Sequence, residues 1–223
     1  MPDTQFGDRF VRWSLSRFST LNGNELMICV GIDLTQSEIS RKRLEYKANF
    51  IQETKLPNKQ KFSAEISRYF TKNKYREDRT MVLANVLIRN AADISCINGR
   101  DTAVKLISTE ASRLKRSLGP DILLGHDGAD MFSVFLPNRT QQEVDSITEQ
   151  VASDLAESVR IRGRDYDPRV FIGYSCYPGE ARTLAQLVHN ADSAVGEAAR
   201  SGRKIVKYTK QEKEQTEVVS ECQ

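Results

Sequence analysis

The sequence predicts an α+β fold, a mixed sheet with helices packed on it, and three observations carry that prediction. Short runs such as Met81 to Ile88 are strongly apolar and strand-like. Longer runs such as Gln141 to Val159 lack Gly and Pro and read as helices. The two kinds of run interleave along the chain instead of segregating, which places helices and strands in one sheet-based domain. With 223 residues, there is room for one full domain with a buried core and a smaller appended piece.

In chain order, Phe10 to Leu15 alternates large apolar and polar side chains, Leu21-Asn22-Gly23-Asn24 offers a turn, and Glu25 to Leu34 alternates again, predicting a β-hairpin. Thr35 followed by Glu38 has the spacing of a capping box, and Ser37 to Phe50 is rich in helix formers. A further helix is expected over Lys59 to Phe70. Then come a strand at Met81 to Ile88, a helix at Ala103 to Arg116 and a hairpin spanning Ile122 to Leu136. A helix at Gln141 to Val159, a strand at Arg169 to Cys176, a helix at Leu184 to Arg200 and a strand at Ile205 to Tyr208 complete the series. Read as β-α-β-β-α-β with an added α-β, this is a ferredoxin-like sheet with flanking helices. The polar stretch from Lys210 to Gln223 is expected to fray.

Composition removes several classes of function. The net charge of +3 is small and spread out, and the basic clusters at Arg41 to Arg43, Lys72 to Arg76 and Arg160 to Arg164 lack interleaved aromatics, so no nucleic-acid partner is expected. Four cysteines stand far apart with no CxxC pair and no histidine at metal-ligand spacing, which fits reduced thiols in a cytoplasm. No apolar run approaches the roughly 18 residues that span a bilayer, so no membrane contact is expected of this segment. His126 and His189 lack a nucleophile or carboxylate at triad-like positions and are read as structural or surface residues.

Three stretches, in order, resemble landmarks of the GGDEF (diguanylate cyclase) family. Leu56-Pro57-Asn58-Lys59 is similar to the end of the family's D-x-L-T-G-L-P-N-R; Gly128-Ala129-Asp130-Met131-Phe132 stands at the signature hairpin; and Asn190-Ala191-Asp192 through Gly202-Arg203-Lys204 resembles its N-A-D…G-R-N helix end. Upstream, Gly31-Ile32-Asp33-Leu34-Thr35 resembles the D-x-T close of a PAS domain, with an ordinary N-terminal hairpin as the alternative. The resemblance implies a PAS-like C-terminal piece at 1–36, a linker helix at 37–52, a GGDEF domain at 53–209 and a tail at 210–223.

A diguanylate cyclase joins two GTP molecules, for which the family uses carboxylate-bound divalent cations, guanine-reading side chains and a phosphate clamp. Against that pattern this chain is degenerate. The metal-binding Asp that ends the first strand aligns with Asn90 in the preferred alignment, which keeps Ile97-Asn98 on the family's I-N at the cost of a loop about three residues shorter; a gap-free alignment places Leu87 there instead, and neither is a carboxylate. The second guanine reader falls on Val104, the phosphate lysine on Ala199, the second signature glycine on Ala129 and the signature glutamate on Met131. Asn98, Gly128, Ala129, Asp130 and Arg203 remain as a remnant nucleotide and metal site, with Asp130 its one metal-binding carboxylate and GTP and Mg2+ its ligands only if it still binds. Arg116 and Asp121 lack the separation of the family's RxxD inhibitory site. The resemblance therefore implies a regulatory domain in bacterial cyclic di-GMP signalling, acting with other domains such as PAS or EAL, as a homodimer or with a protein partner. A GTP-binding regulatory domain and a cyclase of residual activity are the alternatives.

Overall fold

The computed structural model describes residues 9–19, 25–73, 80–119 and 122–210. It divides at Asn49 into two compact units, Met1–Asn49 and Phe50–Gln223. The turn expected at Leu21 to Asn24 and the tail beyond Lys210 lie outside the described residues.

In the first unit, β1 (Val11–Ser19) pairs antiparallel with β2 (Glu25–Asp33), from Val11 opposite Asp33 to Ser19 opposite Glu25, and α1 (Thr35–Asn49) follows. The capping box expected of Thr35 and Glu38 does not form. Thr35 is itself the first helical residue, and its hydroxyl accepts a hydrogen bond from the Phe10 amide at 3.0 Å. Asp33 accepts from the Thr35 amide at 2.9 Å, while Glu38 pairs with Arg41. The Asp33-x-Thr35 element thus ties the end of β2, the start of β1 and the start of α1 together.

The second unit holds the main sheet, ordered β4-β5-β3-β8-β9, from β3 (Met81–Ile88), β4 (Leu123–His126), β5 (Met131–Pro137), β8 (Val170–Tyr177) and β9 (Ile205–Lys207). Its first four strands are antiparallel in the expected ferredoxin-like arrangement, with β3 between β5 and β8, and β9 adds in parallel beside β8. As the central strand, β3 is buried on both faces. Val82, Ala84, Val86 and Ile88 pack in one cluster with α4 (Arg100–Leu118) and α5 (Gln141–Leu155), whereas Met81 and Leu83 pack with α2 (Lys59–Asn73) and α6 (Leu184–Ser201). Removing these side chains from water is the main favourable term for the unit, at roughly 1.5–3 kcal/mol for each large residue fully buried.

Three elements, α3 and the two strands of a small hairpin, were not expected from sequence, and one helix is shorter than expected. The stretch after β3 coils into α3 (Ala91–Asn98), held by burial of Ala91 and Ile94 and separated from α4 by Gly99 at φ 87°. Expected to run to Val159, α5 stops at Leu155, because Arg113 on α4 donates to the carbonyls of Glu157 and Ser158 at 2.6 and 2.9 Å. The chain then makes a small hairpin, β6 (Val159–Ile161) and β7 (Arg164–Tyr166), turned by Arg162 and Gly163, both at positive φ.

Candidate functional site

The loop between β4 and β5, residues 127–130, lies beside the C-terminal end of β3. Leu87 stands opposite Met131 in the ladder, and the Ile88 amide donates to the Asp130 carbonyl at 2.9 Å. Gly128 has φ 110°, a conformation that a Cβ disfavours, so this glycine is required by the turn. Ala129 is not among the positive-φ residues, so its methyl group brings no backbone strain. Asp127 pairs with Lys59 at 2.6 Å, fastening the loop to the start of α2.

Under the loop opens a cavity of about 590 Å³, walled by α3 and α4 on one side and His126, Gly128, Ala129 and Asp130 on the other. Gly128, Ala129 and Asp130 line it, as does Val104, which the sequence resemblance led us to expect at the second guanine-reading position. Desolvation by burial raises the Asp130 carboxyl above its ordinary value, and Arg89 only partly offsets this. The other carboxylate in the wall is Glu53, and the cation is Arg100.

The remaining expected site residues fall elsewhere. Asn98 ends α3, where its carbonyl accepts from Thr102, and it does not line the cavity; Ser95 and Cys96, one turn earlier, do. Asn90 has both ends of its amide committed to backbone, donating to the Asp167 carbonyl and accepting from the Arg169 amide, each at 2.9 Å. That side chain staples β3 to the segment entering β8. Arg203 pairs with Glu197 just beyond the end of α6 and is likewise not in the cavity wall. Among the described residues, no group of three or more His, Cys, Asp or Glu side chains could hold a metal ion.

His126, read from sequence as structural or surface, is a buried wall residue. It is only 3% exposed, stacks on Phe132 at 4.8 Å and meets the Thr54 hydroxyl through Nδ1 at 3.1 Å. Desolvation lowers its pKa, so the ring is neutral near pH 7, and its Nε2 has no hydrogen-bond partner among the described residues. Its place on a strand two residues before Gly128 was the available signal. Behind it, Asn85 on β3 donates to Asp192 on α6 at 2.6 Å and accepts from Ser133 at 2.8 Å.

Residues 52–205 match the family described as "Diguanylate cyclase, GGDEF domain". The chain belongs to the GGDEF family. Over 186 residues this GGDEF chain is 23% identical to the cyclic di-GMP phosphodiesterase PdeB of Shewanella oneidensis, covering 82% of this chain and 21% of that protein. Over 150 residues it is 21% identical to MucR of Pseudomonas aeruginosa, a bifunctional diguanylate cyclase and cyclic di-GMP phosphodiesterase, covering 67% and 22%. It therefore spans about a fifth of the length of these curated relatives. Among solved structures, the isolated GGDEF domain of TpbB (YfiN) from P. aeruginosa superposes with a TM-score of 0.67 at 24% identity, covering 72% of this chain and 94% of that one. That likeness confirms the α+β fold with its central sheet and flanking helices. No helix among the described residues is long and apolar enough to cross a membrane.

Proposed function

We propose that this GGDEF domain is non-catalytic and regulates a cyclic di-GMP signalling protein, acting on an output domain such as an EAL phosphodiesterase in the same chain or on a protein partner. One observation carries this reading: the cavity beside the signature loop has two carboxylates, Glu53 and Asp130, and a single cation, Arg100, in its wall, and among the described residues no group of three or more His, Cys, Asp or Glu side chains could hold a metal ion. Two divalent cations and a triphosphate need several oxygen donors and a cationic clamp. The residues present do not fit magnesium-bound GTP. Loss of one electrostatic partner costs on the order of 3 kcal/mol of transition-state stabilisation, and several are replaced here.

The cavity also bears on the choice of alignment. Ser95 and Cys96, not Asn98, line it, which supports the gap-free alignment with Leu87 at the metal position. The Asp33-x-Thr35 contacts support reading residues 1–36 as the end of a PAS-like domain and 37–52 as its linker helix, ahead of a degenerate GGDEF domain at 53–209. Incubation with GTP and manganese followed by product chromatography tests the proposal, which expects no cyclic di-GMP. A second reading, a GTP-binding regulatory site, draws on the cavity's volume and on Arg100. Calorimetry with GTP and magnesium decides it, and an absence of heat at millimolar ligand would rule it out.

A further inference from the structure

Among the described residues, Glu110 on α4 is the one Asp, Glu, Lys or Arg side chain that is buried outright, at 0% exposed. One of its carboxylate oxygens accepts from the Arg113 guanidinium at 2.9 Å, and the other, Oε2, has no hydrogen-bond partner among those residues. Such a group is uncommon in a native fold, because a buried carboxylate needs its charge paired and its oxygens bonded. Packing alone gives no reason for it, since Leu106, Ile107 and Leu114 on the same buried face of the helix are aliphatic.

Arg113 directs its other donors to the main chain. It reaches the carbonyls of Glu157 and Ser158, at 2.6 and 2.9 Å, in the segment that joins α5 to β6. Glu110 therefore anchors the arginine that stops α5 and starts the β6–β7 hairpin. With three residues in each strand, that hairpin gains little from its own ladder. Val159 and Ile161 dock it in the core, and Arg160, Ile161 and Arg162 line a cavity of about 440 Å³ together with Val104, Lys105 and Ser108 of α4.

We propose that Glu110 and Arg113 form a proton-operated latch: the protonated Glu110 keeps the α5–β6 corner and its hairpin closed on α4, and loss of the proton releases them and opens that cavity. Burial sets the sign. In the closed form desolvation lifts the carboxyl from 4.5 to about 7, Arg113 offsets part of this, and Glu157 adds to it. Once the corner opens, water reaches the carboxylate and its ordinary value returns. The closed form thus holds the proton more tightly, and opening becomes easier as pH rises through that window. Of the elements packed on α4, α3 brings the exposed Asp93, α5 brings Asp154, bonded to Ser117 and Gln150, and β6 brings Arg160, paired with Asp165. From the sheet, His126 is neutral near pH 7, and burial pushes Tyr174 and Cys176 far above it.

Native-state hydrogen exchange of the whole 15N-labelled 223-residue chain, corrected for the intrinsic pH dependence of exchange and repeated in low urea, tests the latch. The amides of Val159 and Ile161 should open about tenfold more often per pH unit between pH 5 and 7 and level off above, with a shallower urea slope than β3. Glu110→Gln, which keeps the shape and cannot ionise, should remove that rise. Exchange at Val159 and Ile161 with the urea slope of β3 would mean that only the whole unit unfolds, and would overturn the proposal. So would a pH dependence unchanged in Glu110→Gln. Should that variant fail to fold, the 13C carboxyl signal of Glu110 in the parent chain carries the test: a midpoint near 7 supports the latch and one near 4.5 refutes it.

Discussion

At Gly173 the backbone of β8 touches α6 directly: a Cβ there would sit 1.9 Å from the Val195 amide nitrogen. No rotamer change relieves a clash with backbone. Gly173→Ala should cost about 3 kcal/mol or more, read as a lower urea midpoint at unchanged slope. Two buried titratable groups give opposite pH signatures. The pKa of His126 is lowered in the fold by desolvation, so its contribution is present above the unfolded value of 6.5 and is lost as pH falls through the folded pKa. Glu110, fully buried beside Arg113, is raised by desolvation from 4.5 to about 7, so stability is lost as pH rises through that window. Urea midpoints between pH 5 and 8 should therefore slope more steeply downward with rising pH in His126→Phe than in the parent chain, and flatten in Glu110→Gln. The same slope in all three proteins would contradict both assignments. These two residues were poorly legible in sequence, since a lone His on a strand and a Glu on a helix face carry no burial signal until their neighbours are placed.

Among the elements, strands and helices with long, strong patterns were readable: β3, β5, β8, α2 and α6 lie within a few residues of their expected bounds. What escaped was held together by tertiary contact. Each strand of the β6–β7 hairpin is three residues long, too short for a period to register, and α3 mixes weak helix formers that Ala91 and Ile94 anchor only through burial. The end of α5 is set by Arg113 from another helix, not by a Gly or Pro in its own sequence. In the N-terminal unit, Thr35 joins β1 to α1 by accepting from Phe10. Thr35→Val, which keeps the shape and removes that acceptor, should speed hydrogen exchange at the Phe10 amide without altering exchange on β3. Unchanged exchange at Phe10 would show that the bond contributes nothing.

Over the whole molecule, the ferredoxin-like topology was legible because the order of elements leaves few sheets to build. The site was legible only in part. Gly128, Ala129, Asp130 and Val104 come together around one cavity, while Asn98 and Arg203 do not, because a motif gives the order of residues and not the direction of a helix face. Restoring signature residues by Ala129→Gly and Met131→Glu should not yield a cyclase, since Val104 and Leu87 would still occupy their positions. Chromatography of a GTP and manganese reaction with that double variant checks this, and cyclic di-GMP would contradict it. The most direct test of a non-catalytic domain is the same assay on the unaltered chain, with magnesium or manganese in excess over GTP. We predict no cyclic di-GMP above the protein-free control; product that grows in proportion to protein and disappears in Asp130→Ala would contradict the account.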